Sequence, residues 1–525
     1  MKKHFLWIAT LALGLNACSD GAIDTDGDVA GNGPAESTET TAVYHAKLAS
    51  VASSQSRVSV VPQSRATVTG PLTLFAEIEN LSKDGGVQGF VQEEGGRLLS
   101  ATCVYYEPVS KTYYVTYHMQ GNNYNTNQTV ETAGFIETFT LDENGVPTLG
   151  DVYTSENAAK EAFDFNHLYF DNLGEYNYNG SETGTRLVAV GHVAVPTSTG
   201  KTDTHAIIGK VTLGSTPSID YSIVYTGDKI LDANNGKSLG KEDAGDANCV
   251  IRKWGYYYLA TRKGMAVLHA HEDRLFEPQN DLEGNLYFIK TPGSAKYLHH
   301  DRVVGSSHFT MLYLDKDTPE GFNGDTPSTA HVAKFSIDGG SGRPCGADGS
   351  KGGWDISDVN SFDITSWPEL QSLPEVAPMD GKNVLFWGGN YIYYAALGKG
   401  GLYVFNPSFA DPTWGNQVPA IVTFGENGRR PVNGVFVEEG DSNVTHAGTH
   451  GFIYVANGGC LTILDRWSLE KVAEFSSDLD EVASANFVTV TMSDHESTPG
   501  VPDRIITVAY GQAGVKVFKF VPPTY

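Results

Sequence analysis

Residues 452–465 read FIYVANGGCLTILD. A run of alternating β-formers ends in alanine, a glycine-bearing turn follows, and a second alternating run begins. Two such runs joined by a tight turn form a β-hairpin, because glycine and asparagine tolerate the positive φ that the turn demands. The same grammar recurs in YIYYAALGKGGLYVFNP (391–407), IITVAYGQAGVKVFKF (505–520) and, more loosely, YYYLATRKGMAVLHA (256–270). Aligned on the turn, the copies bring Ala260, Ala395, Ala456 and Ala509 to one position, which predicts a crowded site where neighbouring sheets meet.

Upstream of each hairpin runs a further strand opened by an asparagine: NCVIRKW from Asn248, NVLFWGG from Asn383, NGVFVEEG from Asn433 and NFVTVTM from Asn486. Downstream of one hairpin, LEKVAEF (469–475) supplies a fourth strand. Four short strands recurring about every 50 to 80 residues are the pattern of a β-propeller blade. Looser copies pair KTYYVTYHM with GFIETFTLDENG, TRLVAVGH with HAIIGKVTLG, and HFTMLYLD with HVAKFSID. The copies then number seven. The last ends at Phe520 without an outer strand, and PLTLFAE (71–77) can supply it from the start of the fold. The expected architecture is all-β: a seven-bladed β-propeller with an N-terminal strand closing the last blade.

The three C-terminal hairpins resemble the LVIVD-type repeats of bacterial surface propellers, in which a strand of the form lYVAnG leads into GLyVfD. The resemblance implies the fold only, since such propellers host unrelated functions.

At the other end, Lys2 and Lys3 precede an apolar run over 5–15 that is too short to span a bilayer, which takes about 20 residues. The segment closes in Leu15-Asn16-Ala17-Cys18, which resembles a bacterial lipobox. The resemblance implies cleavage before Cys18 and a diacylglycerol on its thiol. Asp20, Asp24, Asp26 and Asp28 follow, similar to the acidic export signal of Bacteroides-type surface lipoproteins. DTDGD is no calcium loop: counted from Asp24, Val29 and Ala35 occupy the positions that need glycine and a bidentate acid. The expected layout is a signal peptide over 1–17, a flexible acidic, Ser/Thr-rich tether over 18–66 and the propeller over 67–525. The expected location is the outer membrane, lipid-anchored and surface-exposed.

With 62 acidic against 36 basic residues and a formal charge of −26, the surface repels phosphate backbones, so nucleic acid is excluded as a partner. Cys103, Cys249, Cys345 and Cys460 show no C-x-x-C spacing, and no metal or other cofactor is expected. No nucleophile elbow, phosphate loop or zinc-protease motif is present. His269 with His271, His299 and His300 with Asp301, and His446 with His450 are the histidine groupings.

Two features point instead to recognition. Asn248, Asn383, Asn433 and Asn486 open innermost strands, so they either brace the strand starts or ring a polar ligand at the tunnel mouth. The loops GNNYNTNQT and EYNYNGS carry Tyr124, Tyr176 and Tyr178, whose rings and neighbouring amides suit sugar or peptide binding. Trp387 and Trp414 could add stacking surface. The expected function is a binding module for a nutrient ligand, glycan or partner protein, serving an outer-membrane uptake complex. The alternatives are a propeller lyase or hydrolase acting on a glycan or peptide, with Glu242, Asp243 and Asp246 as its carboxylates, and a structural scaffold.

Overall fold

A computed structural model describes residues 43–60, 67–81, 99–119, 134–143, 145–174, 183–197, 202–226, 230–231, 238–239, 243–253, 255–278, 288–291, 293–300, 308–314, 330–337, 344–345, 360–363, 385–387, 392–398, 400–405, 420–428, 430–438, 451–476 and 484–523. The expected signal peptide and Cys18, Asn383, Tyr124, Tyr176 and Tyr178 lie outside them, as do Glu242, Asp301, Trp414, His446 and His450.

The protein is an all-β propeller. Among the described residues its strands group into antiparallel units within 99–155, 162–223, 247–290, 295–363, 385–422, 432–476 and 487–520, numbered here 1 to 7; each range holds four strands, except five in unit 4 and three in unit 7. The first strands of successive units lie beside one another: Leu99–Glu107, Ala162–Asn172, Ala247–Lys253, Ala295–His300, Leu385–Trp387, Val432–Val437 and Phe487–Met492. The last of these meets the first, so the ring closes. Both faces of most strands are covered, which is why the hairpins read as near-continuous apolar runs. The four aligned alanines are fully buried. Opposite them stand residues of the first strands, as in Cys249 against Ala260 and Gly434 against Ala456.

Unit 7 takes its fourth strand from the N-terminal part of the chain, as the sequence predicts. Leu72–Ile78 pairs antiparallel with Val515–Phe520. Gly514 explains the fit: its φ is +84°, and a Cβ there would overlap the Ile78 carbonyl. Gly264 does the same for the Ile289 carbonyl in unit 3, so the borrowed strand occupies the place of an ordinary fourth strand.

The expectation of a tether running to residue 66 is corrected. Tyr44–Ala52 is a strand whose first half pairs with Ser218–Ile223 of unit 2 and whose second half pairs with Pro147–Ser155 of unit 1. It fuses the two units into one nine-stranded sheet. Its burial pattern leaves only Ala46 and Leu48 inside, because main-chain bonds on both sides rather than apolar contact hold it. Arg57 then enters unit 1 and is fully buried against Glu137, whose carboxylate also accepts from Tyr117 at 2.8 Å and Ser53 at 2.7 Å. Thr67–Thr69 adds an edge strand to unit 6 before the chain reaches unit 7. This N-terminal strap thus touches units 2, 1, 6 and 7.

Candidate functional site

In each unit the first strand starts on the side where the second-to-third turn lies; this is the start face of the ring. On five of the first strands a single extra residue interrupts pairing: Thr102, Asn166, Asn248, Lys296 and Asn433. Such a bulge re-aims one side chain and breaks the ladder locally. Three of the five are asparagines, and each reaches the next unit. Asn166 Nδ2 donates to the Ala247 carbonyl at 3.1 Å, Asn248 Nδ2 to Ala295 at 2.6 Å, and Asn433 Nδ2 to Ala485 at 2.9 Å. Asn486, just ahead of its strand, donates to Ala101 at 2.8 Å. The acceptor is always the carbonyl of the residue preceding the equivalent position. Asn248, Asn433 and Asn486 therefore spend amide hydrogens on joining units. Asn166 belongs to this set and went unnoticed in AFDFNHLYF (162–170), although the asparagine before an alternating run was there to be read.

Deeper in the lumen, aromatic rings approach from different units. Tyr105 of unit 1 lies 5.3 Å from His167 of unit 2 and 5.3 Å from Phe487 of unit 7, while Tyr297 of unit 4 lies 5.9 Å from His167. Burial pushes the Tyr105 and Tyr297 hydroxyls well above the usual phenol range, aided by the thiols of Cys103 and Cys249 nearby. Both residues are half-buried, and with His167 they form an aromatic floor drawn from units 1, 2 and 4.

Above that floor, between units 2 and 3, titratable groups converge that no sequence motif announces. Asp164 and His192 are cross-strand partners in unit 2. His192 Nδ1 lies 3.3 Å from Asp246 Oδ1, and Asn166 Nδ2 donates to the same oxygen at 2.8 Å. Burial alone would lower the His192 pKa, but Asp246, with a further push from Asp164, raises it to about 9. Burial likewise works to raise Asp246, yet His192, Asn166 and Lys296 hold its carboxyl below the usual range. At neutral pH this is an imidazolium–carboxylate pair, with the Asp246 side chain still 33% exposed. Asp164 differs. It is only 7% exposed, and its Oδ1 has no hydrogen-bond partner.

Asp243, from the same turn as Asp246, accepts from His205 at 2.8 Å and from the backbone N–H groups of Ala206 and Gly245. It pins the turn that presents Asp246. His269 is a buried neutral histidine, tilted against Tyr256, with its pKa lowered to about 4 by burial and by Arg274. Cys103, Cys249 and Cys460 are buried and form no disulfide. Among the described residues no three His, Cys, Asp or Glu side chains gather as a metal site.

Three buried knots of arginine, carboxylate and tyrosine brace the ring elsewhere. Arg57–Glu137–Tyr117 is one. Asp171 Oδ2 accepts from Arg252 at 2.7 Å and Tyr257 at 2.5 Å. Glu438 accepts from Arg504 at 2.8 Å and Tyr454 at 2.5 Å. Each carboxylate is paired, as burial requires.

No family model matches the sequence, and no curated protein does. Among solved structures the chain is similar to the WD40 domain of coronin from Toxoplasma gondii, at 9% identity and a TM-score of 0.38 over 92% of this chain and 89% of that one. The architecture rests on the strand pairing itself.

Proposed function

We propose that this chain is a lipid-anchored surface lipoprotein of the outer membrane and a binding module: a seven-bladed propeller of LVIVD-like repeats that takes its ligand at the start-face mouth of the lumen and serves an uptake complex. Asp164 carries the reading. A carboxylate oxygen buried without a hydrogen-bond partner costs about 1–3 kcal/mol, more when the group is charged. A ligand that donates a hydrogen bond reverses that cost. His192 and Asp246 stand beside it with bonding positions left over, which is what a recess built for recognition needs.

The lipobox-like Leu15-Asn16-Ala17-Cys18 supports the anchor. About 26 residues separate Cys18 from Tyr44, a reach of at most about 90 Å fully extended. The described fold begins at residue 43, so the proposed leash ends there rather than at 66.

Two measurements test this. A Cys18→Ser variant should leave the membrane fraction and lose the mass of the lipid; unchanged fractionation and mass rule out the anchor. Thermal-shift screening of the soluble Cys18→Ser chain against small metabolites should find a stabilising ligand whose effect Asp164→Asn abolishes.

The enzyme reading is favoured by one observation, the His192–Asp246 contact at a single mouth. With its pKa about 9, His192 is placed to give a proton rather than take one at neutral pH. A lyase that needs a base there would be active only in alkali, and a rate rising toward pH 9 checks this.

A further inference from the structure

We propose that the mouth between units 2 and 3 recognises a neutral polyhydroxylated ligand, a sugar ring or sugar terminus, held by Asp164, His192 and Asp246 over the aromatic floor. This rests on the binding reading above and names the ligand chemistry of that same mouth.

Asp164 Oδ1, which lies beside Gly134 of unit 1, is buried without a hydrogen-bond partner. Asp246 engages His192 and Asn166 through Oδ1, which leaves Oδ2 as an open acceptor. His192 is bonded through Nδ1, so its Nε2–H is an open donor. The unmet capacity is therefore mostly acceptor, with one donor set among the acceptors.

Charge then selects among ligands. Asp164 and Asp246 are balanced by the His192 imidazolium and by Lys296, whose charge reaches Asp246. An ammonium ligand would satisfy the carboxylates but meet two cations. A carboxylate or phosphate ligand would meet two anions, on a chain of net charge −26. A hydroxyl meets neither penalty. It donates to a carboxylate and accepts from an imidazolium at once, and neighbouring hydroxyls of one ring can serve both. Because Asp164 and His192 are directly opposed across the strand pair, their Cβ atoms stand about 5 Å apart, close enough for one ligand edge to touch both.

The floor supplies the other half of sugar recognition. His167 lies one step deeper on the strand that carries Asp164, and Tyr105 and Tyr297 flank it. The C–H face of a pyranose packs on such rings while its hydroxyl edge turns to the polar groups.

The experiment is calorimetric titration of the soluble Cys18→Ser chain with glucose, galactose, mannose, cellobiose, glucosamine and glucuronate. At least one neutral sugar should bind, at least tenfold tighter than glucosamine or glucuronate. Asp164→Asn should weaken it by tenfold or more, and His192→Gln by several-fold, with unfolding midpoints reported for each variant. Asn433→Ala, which alters the ring far from units 2 and 3, should leave the affinity unchanged. Preferential binding of glucosamine or glucuronate that still depends on Asp164 overturns the ligand class and leaves the mouth as the binding site. Sugar binding indifferent to both Asp164→Asn and His192→Gln overturns the site as well. No binding of any of the six overturns the sugar proposal, and the metabolite screen then decides the broader reading.

Discussion

Asn433 is buried to 2% exposure, and its side-chain amide is one of the bonds between units 6 and 7. Asn433→Ala leaves the Ala485 carbonyl unmet and should cost about 1–2 kcal/mol, read as a lower urea midpoint with an unchanged slope. His192 sets a different kind of test. Its folded pKa of about 9 lies above the ordinary 6.5, so its contribution is complete below about pH 6.5 and is lost as pH rises through 9. The loss amounts to at most about 3 kcal/mol. Asp246, held low, contributes above the ordinary aspartate range and loses that contribution as pH falls below it. His192→Gln should therefore flatten the stability profile between pH 7 and 10. His269 has the opposite sign: kept neutral to about pH 4, it costs stability as pH falls below 6.5, and His269→Phe should relieve part of the acid sensitivity.

The strap and the borrowed strand give sharper handles. Arg57→Met leaves Glu137 buried without its cation and should cost about 3–5 kcal/mol, while Arg57→Met with Glu137→Gln should regain part of it; denaturant titration of the three proteins checks the ordering. Gly514→Ala forces a Cβ into the Ile78 carbonyl at positive φ. It should release Leu72–Ile78 and open a protease site in the preceding chain. These elements also mark what was legible. Leu72–Ile78 was readable because its apolar side chains alternate and a partner strand was visibly lacking. Tyr44–Ala52 was not, since a strand paired on both edges needs few apolar residues, and it carries only two buried ones. The asparagines were visible as a pattern, but the bulges that aim them depend on pairing register, which no local run of residues specifies. Asp164 and His192 were invisible for a related reason: strand register unites them, while Asp246 arrives from the next unit.

The ring closes through residues drawn from both ends of the chain, and this decides how it can be cut. A chain beginning at residue 67, the boundary that composition suggests, keeps Leu72–Ile78 but lacks Tyr44–Ala52 and Arg57. Glu137 is then buried unpaired, and units 1 and 2 lose the strand that joins them. That protein should unfold at lower denaturant than Arg57→Met alone, whereas one beginning at residue 43 should match a chain beginning at Cys18.

The strap is made first, but part of it is seated late. Tyr44–Ala52 emerges before either unit it joins, and Leu72–Ile78 must wait for Val515–Phe520, the last described strand along the chain. Contacts separated by nearly the whole chain form late, because loop closure must be met before they return anything. Until the last strand is delivered the ring cannot shut, so the growing chain lacks a closed form that would resist being threaded. This order of assembly postpones the closed state until both partners of the ring-closing pair have been made.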